Sequence, residues 1–180
     1  IQSSGMGGYN HSNTGVTIDS CYFRTVRGAA MYLGTGMPGL KIRNTILRSR
    51  MGTALELGAA FDNSSNDPYI HHNTIMGNQA VYFSDYGPSG GGFSNNILWG
   101  TSSASCDAYS AVGGTTGNVT SLSDSNLVYS TTADSSRALC KTACASPRTG
   151  AWSTTYSNDT HSSWASPAFT DTSWDALNVQ

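Results

Sequence analysis

The chain has 180 residues, of which only 11% are charged, and a formal net charge of −2. That balance excludes recognition of nucleic acid through bulk positive charge. No apolar run approaches the ~18 residues needed for a transmembrane helix. Leu, Ile, Val and Phe number 29, and 24 of them lie between Val16 and Val128, so a core-forming stretch precedes a polar tail. Ser and Thr supply 26% of the chain, Gly 20 residues, and Glu a single one, Glu56. Such a composition disfavours helices and favours short strands separated by Gly, Ser, Asn and Asp turns. The chain starts at Ile1 without an initiator Met or a signal-like apolar segment, which reads as a processed chain or internal fragment with an upstream neighbour.

In chain order the dominant feature is a repeat. Residues 16–34 align without gaps on residues 40–58, an offset of 24. A third copy spans 69–83, while 93–99 and 122–129 carry only the first half of the unit. Tyr22, Ile46, Ile75, Ile97 and Leu127 form one column of this alignment, and extra loop sequence enters at 59–67 and 100–118. Each unit is predicted to hold two strands. Simple alternation turns Leu40, Ile42 and Ile46 inward and Lys41 and Arg43 outward, and a second strand alternates around Leu55, Glu56 and Leu57. No unit buries its apolar stripe alone, but stacked units do, each strand pairing with its equivalent about 4.8 Å away. Asn44, Asn73 and Asn95 then form a file able to pass amide hydrogen bonds between turns. The prediction is an all-β, right-handed parallel β-helix (solenoid) of about five coils over residues 1–130. Residues 131–180 form a Ser/Thr-rich, disulfide-containing, loop-rich C-terminal cap, with Trp152, Trp164 and Trp174 as anchors or, alternatively, a sugar-stacking site.

The segments Ile42-Arg-Asn-Thr-Ile46, His71-His-Asn-Thr-Ile75 and Phe93-Ser-Asn-Asn-Ile97 resemble the short repeats of the right-handed parallel β-helix superfamily. The piece Ser166-Pro-Ala-Phe-Thr-Asp171 resembles the segment that closes such domains. The resemblance implies a fold rather than an activity, because the superfamily spans pectin-active enzymes, tailspikes, adhesins and inert surface proteins. Its hydrolase branch implies an Asn-Thr-Asp, an Asp-Asp and a Gly-His-Gly. Here Ile46 and Ile75 stand where the Asp would be, no Asp-Asp or Gly-His-Gly occurs, and Lys41-Ile-Arg43 only loosely echoes the basic motif. The lyase branch implies a calcium-binding acidic cluster, whereas the eleven acids here are scattered singly. No catalytic residue, metal ligand set or cofactor is assigned.

Four cysteines, Cys21, Cys106, Cys140 and Cys144, in polar sequence point to disulfides and an oxidising compartment, with zinc and free thiols as competing readings. Cys140 and Cys144 either close on each other or tie to Cys106. Sequons at Asn10, Asn63, Asn118 and Asn158 fall in predicted loops, where a glycan is tolerated. The outward column Tyr32, Glu56, Tyr82 is the carbohydrate-binding candidate, two aromatic rings flanking a carboxylate. Arg24, Arg48 and Arg50 form a candidate anion patch, since like charges on adjacent strands cost stability unless something offsets them. His71 and His72 lie on an outward or turn edge, where one could serve as a general base.

These features predict a non-catalytic extracellular or cell-surface module, a structural or adhesive segment of a glycosylated protein or fibre. Its expected partners are covalent or bound glycans, further copies of itself, or upstream domains. The alternatives are a carbohydrate-active enzyme using Glu56 as acid or base, and a tailspike-like glycan binder.

Overall fold

In the computed structural model the described residues are 14–33, 38–57, 68–83, 92–101, 109–111, 123–130, 139–140, 144–145 and 161–169. They contain seventeen strands and no helix. Three strands make one coil: β1 (Thr17–Asp19), β2 (Tyr22–Thr25) and β3 (Met31–Leu33) in the first, then β4 (Lys41–Arg43), β5 (Ile46–Ser49) and β6 (Thr53–Leu57). The third coil holds β7 (Tyr69–His71), β8 (Thr74–Gly77) and β9 (Gln79–Phe83), and the fourth β10 (Gly92–Ser94), β11 (Ile97–Gly100) and β12 (Tyr109–Ala111). The fifth holds β13 (Ser123–Asp124), β14 (Leu127–Ser130) and β15 (Leu139–Cys140). Two short strands follow, β16 (Cys144–Ala145) and β17 (Ser163–Trp164).

Equivalent strands stack into three parallel sheets. Sheet I runs β1-β4-β7-β10-β13, sheet II β2-β5-β8-β11-β14-β17, and sheet III β3-β6-β9-β12-β15, with β16 added antiparallel at its end. The molecule is a parallel β-helix, as the repeat implies. Its inner columns are Ile18, Ile42, Ile70 and Phe93 on sheet I, Phe23, Leu47, Ile75, Leu98 and Val128 on sheet II, and Met31, Leu55 and Val81 on sheet III. All but the partly buried Ile18 are buried in one continuous core.

Each coil has three strands rather than two, because the predicted first strand is broken by a corner. Ser20, Asn44, His72, Asn95 and Ser125 hold φ between 51° and 59° there, a left-handed conformation in which Asn is tolerated better than most residues. The corner inserts one residue into the alternation. Ile42 points in, and so do Thr45 and Leu47, while Ile46 turns out and is only half-buried. Sequence alternation carried straight through the corner assigns Ile46 inward and is wrong by one residue from that point on. Ile75 falls outside the predicted column for a different reason: the third unit lies 28 residues beyond the second, so Ile46 and Ile97 both pair with Thr74, and Ile75 pairs with Leu47 and Leu98.

The internal file is also displaced by one position in two coils. Asn73 belongs to it, but Asn44 and Asn95 are exposed corner residues. The file consists of the partly buried Cys21 followed by the buried Thr45, Asn73, Asn96 and Asn126. In it the Cys21 N–H donates to Thr45 Oγ1 (3.4 Å), the Thr45 N–H to Asn73 Oδ1 (3.0 Å), the Asn73 N–H to Asn96 Oδ1 (3.0 Å), and the Asn96 N–H to Asn126 Oδ1 (2.9 Å). Ser162 ends the file by accepting from the Asn126 N–H at 2.7 Å. Each amide also reaches back one coil, Asn73 Nδ2 to Ile42 O, Asn96 Nδ2 to Ile70 O and Asn126 Nδ2 to Phe93 O. Asn96 Nδ2 further donates to Asn126 Oδ1, and Asn73 Nδ2 to Asn96 Oδ1, so Asn96 makes four side-chain hydrogen bonds.

Close stacking has a second signature at Gly77. A Cβ there would lie 2.7 Å from the carbonyl oxygens of Gln79 and of Gly52 on the coil below.

Two neighbouring asparagines should therefore respond differently to substitution. Asn96→Ala strands several buried hydrogen-bonding groups, each worth about 1–3 kcal/mol, and is expected to cost at least about 3 kcal/mol. Asn95→Gly, at an exposed left-handed corner, should stay within about 0.5 kcal/mol of wild type. Urea denaturation of both variants checks the contrast.

Candidate functional site

The outer face of sheet III carries the predicted column. Tyr32 pairs in register with Glu56, and Glu56 with Tyr82, on β3, β6 and β9. Alternation on these strands turns Met31, Leu33, Leu55, Leu57 and Val81 into the core and leaves the three column residues half-buried at the surface. The carboxylate thus sits between two phenolic side chains, and burial pushes the Glu56 carboxyl above the usual carboxylate range. A partly desolvated acid between aromatic groups can accept hydrogen bonds from sugar hydroxyls whose apolar faces rest on the rings.

The arginines are brought together only in part. Arg24 on β2 pairs with Arg48 on β5, as the offset of 24 implies. Arg48 is only 2% exposed, however, although its position in the alternation faces away from the core. Arg50 is exposed just beyond β5, its N–H bonded to Thr25 O. The triplet therefore does not form an open cationic surface, because its central member is covered.

That covering is a property of the outer face of sheet II, where Arg48, Met76 and Trp99 are successive register partners and all buried. Trp99 lies flat on Phe169 (centroids 5.4 Å, interplanar angle 12°) and edge-on to Tyr129 (5.6 Å, 67°). Phe169 belongs to the segment resembling a domain closure, and it folds back over this sheet. The sequence offered no means of pairing Trp99 with a residue seventy positions away.

Sheet I presents a polar edge along the left-handed corners. Asp19 accepts from Arg43 Nε (2.9 Å), Asn44 Nδ2 (3.0 Å) and Ser20 Oγ (3.1 Å), and it lies 2.8 Å from Arg43 Nη2. These donors, the Asn44 amide foremost, hold the Asp19 carboxyl below its ordinary range. His71, the register partner of Arg43, brings its Nδ1 to 2.8 Å from Nδ1 of His72, with the rings edge-on. At the far end Asp124 lies 2.8 Å from His161 Nδ1 and accepts the His161 N–H at 2.9 Å. This last contact joins residues 37 apart and has no counterpart in the repeat.

Cys21 is a free thiol at the start of the internal file, packed against the core with its Sγ 3.1 Å from Asp19 O. Cys140 and Cys144 are register partners across the β15–β16 pair. The side chains of Cys106, Cys140 and Cys144 lie outside the described residues, as do the sequons at Asn10, Asn63, Asn118 and Asn158 and the residues Trp152 and Trp174. β17 places Trp164 opposite Val128 through its backbone. Compared with family models, curated proteins and solved structures, the chain matches none.

The raised Glu56 carboxyl has a defined consequence for stability. A carboxyl whose folded pKa exceeds its unfolded one binds more protons when folded, so its contribution is present at low pH and lost as pH rises through the folded pKa. Glu56→Gln should raise the melting temperature at pH 7, and the gain should vanish below the ordinary titration range of Glu. Thermal melts of both proteins from pH 3 to pH 8 check this.

Proposed function

We propose that the chain is a non-catalytic extracellular β-helix module, a structural or adhesive segment of a glycosylated surface protein or fibre. The observation that carries this reading is the uninterrupted axial stack. Three sheets and one internal hydrogen-bond file run through five coils, which makes a stiff rod. Among the described residues β1, β2 and β3 each pair on one side only, and such edges are addition sites for a preceding coil or another chain. The repeat motifs support kinship with the right-handed parallel β-helix superfamily. Extracellular placement follows from the low charge, the hydroxyl-rich composition and the sequons.

Within this reading the Tyr32–Glu56–Tyr82 column is a glycan-contact strip, and sheet III is the adhesive face. Its geometry suits a polysaccharide lying along the solenoid axis, where sugars meet the same face of successive coils. A second reading, a carbohydrate-active enzyme, draws on the raised carboxyl of Glu56, since a general acid needs its proton near neutral pH.

The two are separated by affinity electrophoresis in soluble polysaccharides, run beside a screen for released reducing ends and unsaturated uronides. The adhesive reading expects retardation that Tyr32→Ala and Tyr82→Ala each reduce, without product formation. Turnover that Glu56→Gln abolishes would establish the enzyme instead. Intact mass before and after glycosidase treatment tests the sequons, and a change of glycan mass is the expected result.

A further inference from the structure

Outside the sheet III strip, the most chemically specific arrangement is the pair of adjacent imidazoles on the corner edge. His71 ends β7 on the outer face of sheet I, and His72 follows at φ 59°, in the left-handed corner. Successive side chains in an extended strand point to opposite faces. The corner cancels that divergence and turns both rings to one side. Their Nδ1 atoms meet at 2.8 Å with ring centroids 5.1 Å apart and planes at 85°. At that distance one Nδ1–H donates to the other Nδ1, the tautomer deciding which ring is the donor.

We infer that His71 and His72 form a cis chelate for a tetragonal divalent d-block ion, of the Ni2+ or Cu2+ type. The argument is the bite distance. With metal–nitrogen bonds of ~2.05 Å, nitrogens 2.8 Å apart subtend about 86° at the metal. That is the angle between neighbouring ligands in square-planar or octahedral coordination, the geometry typical of Cu2+ and Ni2+. Tetrahedral coordination would need the two nitrogens about 3.3 Å apart. The remaining positions go to water, since His72 is exposed and His71 is half-exposed.

Each ring ligates as the neutral imidazole, through an Nδ1 lone pair free of its proton. The adjoining charges are Arg43 and Lys41 on β4 and Asp19 on β1, and the Arg43 guanidinium is turned to Asp19, with which it is hydrogen-bonded. On metal entry the donor ring moves its proton from Nδ1 to Nε2, a tautomer change through water that releases no net proton. Among the described residues no group of three or more His, Cys, Asp or Glu is placed around a metal, so the chelate rests on these two rings alone.

The fourth coil supplies variants that the fold already accommodates, because Ser94 and Asn95 occupy the positions of His71 and His72. Isothermal titration of the full chain with Ni2+ at pH 7.5 is therefore run on wild type, His71→Ser, His72→Asn, the double variant His71→Ser/His72→Asn, and His161→Ala. Wild type and His161→Ala are expected to show the same single saturable site. Each single variant at the pair should weaken it by about a hundredfold, the loss of a tethered second ligand. Retained binding in the double variant His71→Ser/His72→Asn, or no saturable binding in wild type, overturns the proposal. Tighter binding of Zn2+ than of either Ni2+ or Cu2+ also overturns it, because the pair would then have opened to a tetrahedral bite.

Discussion

Every coil of this molecule depends on a corner that the coil cannot satisfy by itself. At the turn between sheets I and II the chain passes through a left-handed residue and immediately buries the next backbone N–H. No partner for that group exists within the same coil. It is met by the side chain of the following one, Asn73 for Thr45, Asn96 for Asn73 and Asn126 for Asn96. An unmatched buried N–H costs about 1–3 kcal/mol, so neighbouring coils are locked in register wherever this file runs. The apolar columns set how strongly the coils pack, and the amides set how they align.

This division explains what the sequence disclosed and what it hid. The offset of 24 residues between the first two units is an observable of composition, and it correctly aligned Ile18 with Ile42, Arg24 with Arg48 and Tyr32 with Glu56. Alternation failed at the corner, where a single backbone dihedral shifts the inward set by one residue and exchanges Ile46 for Leu47. The pattern of a polar residue followed by Asn, in His72-Asn73, Asn95-Asn96 and Ser125-Asn126, was the available sign of corner then file. The third strands of the fourth and fifth coils, β12 and β15, are three and two residues long and sit in Ser/Thr-rich sequence, so they leave no periodicity to detect.

The three outer faces are chemically distinct. Sheet I carries a hydrogen-bonded polar edge from Asp19 to His161, and sheet III a half-buried Tyr–Glu–Tyr strip. Sheet II is buried on its outside as well as its inside around Arg48, Met76 and Trp99, with Phe169 lying against the indole. The single acid of the strip is destabilised by burial, whereas Asp19 is stabilised by three donors, so two carboxylates on neighbouring faces titrate in opposite directions from their ordinary values. Environment, rather than residue type, decides which of them can retain a proton.

The internal file joins residues 24, 28, 23 and 30 apart in successive steps, yet the three steps accepted by an asparagine amide all span 2.9–3.0 Å. Pitch and contour length are thus decoupled: the ruler is the amide spacing, and the amount of chain spent between marks is free. Such a scaffold can lengthen or exchange whatever lies between its strands while its screw axis stays unchanged, which lets its loops diversify independently of its frame.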